Sequence, residues 1–378
     1  MVSARATVPD QPATAPGGHL IVGSSASAGS PRTGLYTVHY AAGGTLRRRR
    51  VLPVEQASYT AADPAGRTLY AVVEQDSGLV VSLRIGPRGA GLAPLATSAS
   101  GGALPCHLAV HPSGSHVFVA HYGDGVLSVL PTAPDGPIAD QEPAQRIHHP
   151  RRAASGTLLT APHAHMAAPS PDGRFVLCTD LGTDRIHIYA FAPLSGLLTR
   201  HRTVHLPPGC GPRHLVFHPS ARYVYLLNEL SSTLTVCTWD APSGHLRAAA
   251  ELSTRRDPST PNANYPAAIR LSPDGRFLYI TNRGDDTIAV YAVRHDGASV
   301  DLLSTVPSGG SWPRDIALSP DGQLLFCANQ RSDSLTAFHR DPASGLLTPA
   351  GRPLALVAPV SVLPVGSAQP SPPASPEP

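Results

Sequence analysis

The chain has 378 residues, of which 42% are hydrophobic and 15% are charged, and its formal net charge is +3. This is the composition of a globular protein, and so mild a charge argues against a nucleic-acid-binding or membrane-surface class. No stretch is long and apolar enough to span a bilayer.

The two ends of the chain differ from the rest. Residues 1–17 are rich in Ala, Thr and Pro without the apolar core of a secretory signal, and residues 366–378 are rich in Pro and Ser. We predict that both ends are disordered and that residues 18–365 form a single domain. The basic run Arg47–Arg50 falls where a first hairpin should end, so we expect a solvated turn rather than a nucleic-acid site.

A sequence repeat, with apolar runs on either side of a proline turn, occurs six times between Ser58 and Pro353. Each copy has an apolar run, the proline turn, a second apolar run that ends in polar residues, and two further strands. The spacings between successive anchor prolines are 48, 59, 48, 54 and 47 residues, counted along Pro64, Pro112, Pro171, Pro219, Pro273 and Pro320. This period predicts one four-stranded propeller blade per copy, and we assign the excess in the long interval to an extended loop, Thr132–Ala161.

Strand-like segments remain at both ends of the repeats. His19–Val22 and Gly34–Tyr40 precede them, and Leu354–Val365 follows them. Together these segments can form a further blade, and closure by both termini removes the last exposed sheet edges. We therefore predict an all-β fold, a seven-bladed propeller of four-stranded antiparallel blades. A six-bladed ring with a separate N-terminal hairpin is the alternative.

Polar residues collect at one end of each predicted blade. The start of the first strand lies beside the end of the second, opposite the proline turn, and radial blades bring these positions together around the central channel. We call this set the channel rim. Its members at strand starts are Ser58, Tyr59, Cys106, His107, His163, His165, Arg213, His214, Tyr265, Pro266, Arg314 and Asp315, and at strand ends Glu74, Gln75, His121, Tyr122, Asp180, Asn228, Glu229, Asn282, Arg283, Asn329, Gln330 and Arg331.

The rim chemistry indicates an anionic ligand. Arg213, Arg283 and Arg314 are suited to it because guanidinium forks match carboxylate and phosphate oxygens. Glu229 or His165 could act as a general base toward water or a carbon acid. The alternative for any single rim residue is a hydrogen bond to a neighbouring blade. We predict that a second group binds substrate: His107, His163, Asp180, Arg314 and Gln330.

The sequence gives little support for a cofactor. His163 and His165 with Asp180 nearby could hold a metal, but no recognised His or Cys ligand pattern is present, and we predict none. A Gly-rich phosphate loop and a Gly-x-Ser-x-Gly motif are also absent from the sequence. The five cysteines form no Cys-x-x-Cys pair, which fits a reducing compartment, so we expect a cytoplasmic protein.

Several segments resemble the lactonase-type seven-bladed propeller family. They read PHAH, DLGTDRI, PRH, NEL and NRGDDTIAVY. That family includes the bacterial propeller-type 6-phosphogluconolactonases and the fungal carboxy-cis,cis-muconate cyclases. The resemblance implies no metal or organic cofactor, and an active site of one His, two Arg and one Glu. By motif these are His165, Arg213, Arg283 and Glu229.

Three functional hypotheses follow. The leading one is a metal-independent hydrolase of a sugar lactone, with 6-phosphogluconolactone of the pentose phosphate pathway as first candidate. The second is a muconate-type lactonizing cycloisomerase that uses the same residues. The third is a non-catalytic binding scaffold, which locked ion pairs among Arg213, Glu229 and Arg283 without an open pocket would favour. We expect a monomer whose partner is a small anionic lactone, with neither nucleic acid nor membrane as a partner.

Overall fold

The computed structural model describes residues 17–25, 33–150 and 161–365. Across these ranges, 28 strands form seven four-stranded antiparallel sheets. The predicted all-β, seven-bladed propeller is confirmed, and the six-bladed alternative is wrong. The terminal segments that we expected to be disordered lie outside the described residues, apart from Gly17.

The first three strands belong to the blade that closes the ring, and the next 24 form blades 1 to 6 in chain order. The first three are β1 (Gly18–Ser24), β2 (Leu35–Tyr40) and β3 (Leu46–Leu52). Blade 1 has β4 (Ala57–Ala62), β5 (Thr68–Val73), β6 (Leu79–Ile85) and β7 (Leu92–Ala99). Blade 2 has β8 (Pro105–Val110), β9 (His116–His121), β10 (Val126–Pro131) and β11 (Gln145–His148). Blade 3 has β12 (Ala164–Pro169), β13 (Phe175–Asp180), β14 (Arg185–Ala192) and β15 (Leu197–His205).

Blade 4 has β16 (Pro212–Phe217), β17 (Tyr223–Asn228), β18 (Thr233–Asp240) and β19 (His245–Ser253). Blade 5 has β20 (Tyr265–Leu271), β21 (Phe277–Arg283), β22 (Thr287–Arg294) and β23 (Ser299–Pro307). Blade 6 has β24 (Pro313–Leu318), β25 (Leu324–Asn329), β26 (Ser334–Arg340) and β27 (Leu347–Ala355), and β28 (Pro359–Val365) is the last strand. Short 3-10 turns occur at Pro87–Gly89, His295–Gly297 and Gln330–Ser332.

Blade 7 is built from both ends of the chain. Its strand order is β28-β1-β2-β3, with the inner strand from the C-terminal part and the other three from the N-terminal part. The pairing of β28 with β1 is antiparallel and places Ile21 opposite Leu363. Successive inner strands contact one another around the whole ring, including β28 with both β24 and β4. The predicted closure by both termini is confirmed.

Three of the proline turns are stabilised by the same local hydrogen bonds. In the first Ser-Pro-Asp-Gly turn, the Ser170 hydroxyl donates to Asp172 and accepts from the amide of Phe175. Gly173 follows with φ of +72°, a conformation that costs a residue with a Cβ more than it costs glycine. The same serine-to-aspartate bonds recur in the turns of blades 5 and 6. These turns are thus determined by adjacent residues.

A register shift interrupts the ladder between the first two strands of each of blades 1 to 6. In five of these blades one residue of the inner strand stands unpaired between two paired neighbours, as in a β-bulge. A bulge lets a side chain take a direction that the regular pleat would not give it. The five bulged residues are Ser58, Cys106, His165, Arg213 and Arg314.

Two predicted loops are wrong. The stretch Thr132–Ala161 contains β11, which pairs with β10 as the outer strand of blade 2, although residues 151–160 lie outside the described ranges. Only Ile147 gives β11 an apolar side chain, so its pattern carried no strand signal. The run Arg47–Arg50 lies in β3 and not in a turn, where exposed charges protect an outer strand from pairing with other chains.

The described ranges also show whether a helix of the chain could span a membrane. None of their helices has the length and apolar character needed to cross a bilayer.

A substitution at the junction between blades 6 and 7 tests how much closure of the ring contributes to stability. Phe326 of β25 is fully buried, and its ring lies 4.8 Å from that of Tyr40 in blade 7, between ring centroids. We expect Phe326→Ala to lower the free energy of unfolding by about 3–5 kcal/mol, because it leaves a cavity in this junction. Urea unfolding measures the loss. Leu194→Ala, at a fully exposed leucine, is the control and should leave the midpoint unchanged; equal midpoints for both variants would contradict the prediction.

Candidate active site

The centre of the channel rim is formed by blades 4 and 5. Arg213 is the bulged residue of β16, and Glu229 immediately follows β17, whose end pairs with the start of β16. The amide of Glu229 donates to the carbonyl of Gly211 at 2.8 Å, which holds the residue beside that start. Arg283 is the last residue of β21 in the next blade. Strand ends and a bulge therefore bring the three side chains together.

Glu229 bridges the two arginines through a single oxygen. Its Oε2 lies 2.9 Å from Nε of Arg213 and 2.7 Å from Nη2 of Arg283. Both arginine side chains are buried, whereas the glutamate side chain keeps 17% of its exposure. The carboxylate is therefore the most exposed member of this trio.

Backbone carbonyls hold both guanidinium groups in place. Nη1 of Arg213 donates to the carbonyl of Ala267, and Nε of Arg283 donates to that of Tyr265 at 2.9 Å. Each guanidinium thus has a backbone hydrogen bond and an ion pair with Glu229, and the two contacts orient it before any ligand binds. Such preorganised donors are the groups that stabilise negative charge during acyl transfer.

Around Glu229 the rim has two buried arginines and one carboxylate, so positive charge is in excess there. Burial lowers the pKa of Arg213 to about 9, Arg283 adds to this effect, and Glu229 opposes it. Burial also lowers the pKa of Arg283. Arg314 is partly exposed and lies 3.9 Å from Glu74, a loose ion pair compared with those of Glu229. The arrangement favours a ligand that brings negative charge.

His165 is the buried, neutral base of the rim. Its Nδ1 has no hydrogen-bond partner among the residues the structure describes. Burial, followed by the positive charges of Arg213, Arg314 and Arg283, holds the pKa of His165 well below its usual value. A neutral imidazole with an unpaired nitrogen can accept or relay a proton.

Aromatic rings continue the rim beside His165. The His165 and His214 ring centroids are 5.3 Å apart, and His107 lies 5.4 Å from His214 and 4.2 Å from Tyr59. Burial, then Arg270 and Arg213, lowers the pKa of His107 to about 3. Neutral rings in contact form an uncharged surface next to the arginines.

A small cavity opens between the inner strands at this end of the channel. Its lining includes bulged residues of the inner strands and residues that directly follow them. Burial raises the pKa of the Cys106 thiol in its wall, so this sulfur stays protonated and is a poor nucleophile. The cavity is lined by Ser58, Tyr59, Cys106, Arg213, His214, Arg314, Asp315 and Val360.

The other predicted substrate-binding residues have different surroundings. His163 stacks on Tyr122 at 4.4 Å between ring centroids and is partly exposed. Gln330 begins a 3-10 turn, and its backbone amide donates to the carbonyl of Trp312 at 3.0 Å.

Asp180 does not face the arginine cluster. Its side chain is fully buried against His149, with 2.7 Å between Oδ2 and Nδ1, and its Oδ1 accepts from the amide of His163. The possible metal group of His163, His165 and Asp180 is not formed. Within the described residues, the group of potential metal ligands is instead His149, Asp180 and His187.

Trp312 is a rim residue that sequence reasoning missed. The guanidinium of Arg331 lies 3.3 Å from the centroid of its ring, and that of Arg283 lies 5.4 Å away. Its φ of +63° is rare for a large residue, and its amide donates to Asp286 at 2.7 Å. The available signal was its position directly before the proline that starts β24.

The fold is a seven-bladed propeller that brings two arginines, a carboxylate and a buried imidazole to one end of its channel. Residues 19–364 match the model of the family described as Lactonase, 7-bladed beta-propeller. The chain belongs to this family and is a lactonase.

Similar proteins agree with this assignment. The chain is 31% identical over 292 residues to a 6-phosphogluconolactonase of Bacillus subtilis, covering 77% of this chain and 82% of that protein. It is 33% identical over 252 residues to a 6-phosphogluconolactonase of Pectobacterium carotovorum, covering 65% of this chain and 69% of that protein. The solved structure of a periplasmic gluconolactonase of Pseudomonas aeruginosa superposes with a TM-score of 0.85 at 29% identity, covering 92% of this chain and 98% of that one.

The protonation of the rim histidines gives a direct test. We expect the rings of His165, His107 and His214 to stay neutral from pH 8 to about pH 5.5, because burial and nearby arginines disfavour the imidazolium. Two-dimensional NMR of the imidazole nitrogens measures this, with signals assigned through His→Asn variants. The same titration in denaturant is the control, in which these rings should protonate near pH 6.5. A midpoint near that value for His165 in the folded protein would show that the imidazole is not shielded as described.

Proposed function

We propose that the chain hydrolyses a sugar lactone, with 6-phosphogluconolactone as the first candidate, without a metal. The observation that carries the proposal is the pair of buried arginines held on Glu229 beside neutral His165. Family membership supports lactone chemistry, and the names of the Bacillus and Pectobacterium relatives support the phosphorylated substrate.

In the proposed reaction, Glu229 takes a proton from a water molecule, with His165 placed to relay it. The water oxygen forms a bond to the lactone carbonyl carbon, and the carbonyl oxygen becomes an oxyanion. Arg213 and Arg283 stabilise that charge. The intermediate then collapses, the bond from the carbonyl carbon to the ring oxygen breaks, and the ring oxygen leaves with the proton as a hydroxyl group. Lactone and water thus give a hydroxy acid.

Substrate binding is assigned to the residues around this centre. Among the three arginines that pair with Glu229 or Glu74, Arg314 has the longest ion-pair distance, so we assign it to the phosphate of the substrate. His107 and His163 would contact the sugar through their rings, and Gln330 would contact it through its side-chain amide. We leave Asp180 out of the binding site because both of its carboxylate oxygens are already engaged.

The scaffold hypothesis needs locked arginines and a closed rim. Arg213 and Arg283 do pair with Glu229, as that hypothesis requires. However, the Glu229 and Arg314 side chains keep 17% and 24% of their exposure, and the chain is a lactonase by family. We therefore propose a catalytic rim.

We also propose that the enzyme acts as a monomer in the cytoplasm, within the pentose phosphate pathway. All five cysteines are buried free thiols, which suits a reducing compartment. Each inner strand already contacts the inner strands of both neighbouring blades, so the ring closes without a second copy.

Replacement of the base tests the mechanism. We expect Glu229→Gln to lower kcat for 6-phosphogluconolactone by roughly 100-fold or more, because the amide cannot accept the proton. The assay follows acid release above the spontaneous rate at neutral pH. Glu251→Gln, at an exposed glutamate of β19 in the same blade, is the matched control and should keep full activity. Full activity of Glu229→Gln would remove this residue from the proton-transfer role.

Substrate choice is tested separately at Arg314. We expect Arg314→Gln to raise KM for 6-phosphogluconolactone by roughly tenfold, the typical value of a charge-assisted hydrogen bond. KM for unphosphorylated gluconolactone should stay the same, because that substrate lacks the phosphate. Equal changes for both substrates would place the phosphate elsewhere.

A further inference from the structure

A second cluster of ionisable side chains lies at the junction of blades 2 and 3. His149 follows β11, Asp180 ends β13, and His187 lies in β14. The three side chains have no exposed surface. Oδ2 of Asp180 lies 2.7 Å from Nδ1 of His149 and 3.9 Å from Nε2 of His187. The proposed reaction uses none of them.

Two imidazole nitrogens of this cluster are unsatisfied. Within the described part of the chain, Nε2 of His187 and Nε2 of His149 have no hydrogen-bond partner. A buried polar atom without a partner carries a desolvation cost, which an ion bound at Nε2 of His187 would offset for that nitrogen. The distance from His187 to Asp180 is too long for a hydrogen bond, but it leaves room for an atom between them.

The surrounding bonds fix the orientation of two of these side chains. Oδ1 of Asp180 accepts from the amides of His163 at 2.9 Å and Thr183 at 3.1 Å. Nδ1 of His187 lies 3.3 Å from the hydroxyl of Thr203. Metal-binding carboxylates and imidazoles are typically held by hydrogen bonds on the side away from the ion. Here those bonds leave Oδ2 and Nε2 turned toward each other.

We propose that His149, Asp180 and His187 bind a divalent transition-metal ion of the zinc class. Two imidazoles and a carboxylate are a ligand set that zinc accepts, with water in the remaining position. Tetrahedral ligands at about 2.0–2.2 Å lie about 3.4 Å from one another. The two measured separations, 2.7 and 3.9 Å, lie on either side of that value, so small side-chain shifts complete the site. The ion replaces the proton between His149 Nδ1 and Asp180, and that proton leaves to solvent.

Positive charge nearby limits the affinity. Arg200 and Arg185 both act electrostatically on His187 and oppose a cation. The site has one carboxylate against these charges, so we expect weaker binding than at a structural zinc site with cysteine ligands.

The role assigned to the ion is structural. Asp180 accepts a hydrogen bond from the amide of His163, two residues before His165 of the rim, and His149 directly follows the outer strand of blade 2. An ion bound here joins the end of blade 2 to the start of blade 3. It therefore fixes the segment from which the rim imidazole projects, at a distance from the reacting groups.

The experiment uses the full chain without an affinity tag, stripped with a chelator. We expect one equivalent of Zn²⁺ by calorimetry, a rise in Tm on zinc addition, and visible absorption bands of a four-coordinate site with Co²⁺. His187→Gln should lose all three. His148→Gln, the same change at the exposed neighbour of His149, is the matched control and should keep them.

Two results would overturn the proposal. One is wild-type protein that takes up no stoichiometric zinc and gives no Co²⁺ bands, which would mean that the cluster is a hydrogen-bonded dyad with an adjacent imidazole. The other is unchanged binding in His187→Gln. If that variant does not fold, the wild-type Co²⁺ spectrum and an Asp180→Asn variant decide the matter. Lactonase activity is assayed in parallel on the stripped protein, so the zinc site and the lactonase mechanism can fail independently.

Discussion

The single unpaired residue near the start of the inner strands is the constraint on which the functional end of the channel depends. In a regular ladder, successive side chains alternate between the two faces of the blade. The register shift breaks this alternation where the inner strand begins, and in blades 3, 4 and 6 it falls on His165, Arg213 and Arg314. The ladder resumes after the shift, so each of these blades keeps its packed core while one residue of the inner strand stays unpaired.

Glu229 lowers the electrostatic cost of placing two buried arginines at the channel rim. Burial lowers the pKa of Arg213, and repulsion from the buried guanidinium of Arg283 lowers it further. The shared carboxylate offsets one of the two charges and leaves the other available. Backbone carbonyls from blade 5 hold both forks, so the geometry is rigid before substrate arrives. Rigidity and residual charge are the properties that an oxyanion requires of its binding site.

Local patterns predicted the blades well, because turns such as Ser170–Gly173 are closed by their own side chains. They also placed Arg213, Glu229 and Arg283 at one end of the channel, since strand ends follow from the turns. The register between strands is not local, and it decides which end residues face the channel. Asp180 occupies the same strand-end position as Asn228 just before Glu229, yet its carboxylate is engaged by His149 from the neighbouring blade. Strand β11 and the positive φ of Trp312 depend likewise on packing that the sequence pattern does not encode.

Closure by the last strand has a consequence for the life of the chain on the ribosome. β28 begins at Pro359, after every other described strand, so blade 7 lacks its inner strand until synthesis has passed that segment. Until then the partly made ring presents apolar surface at its open junction, including Leu20, Val22 and Phe326. Premature termination anywhere before β28 leaves this surface uncovered and open to aggregation. Only chains that contain β28 can therefore bury the junction between blades 6 and 7.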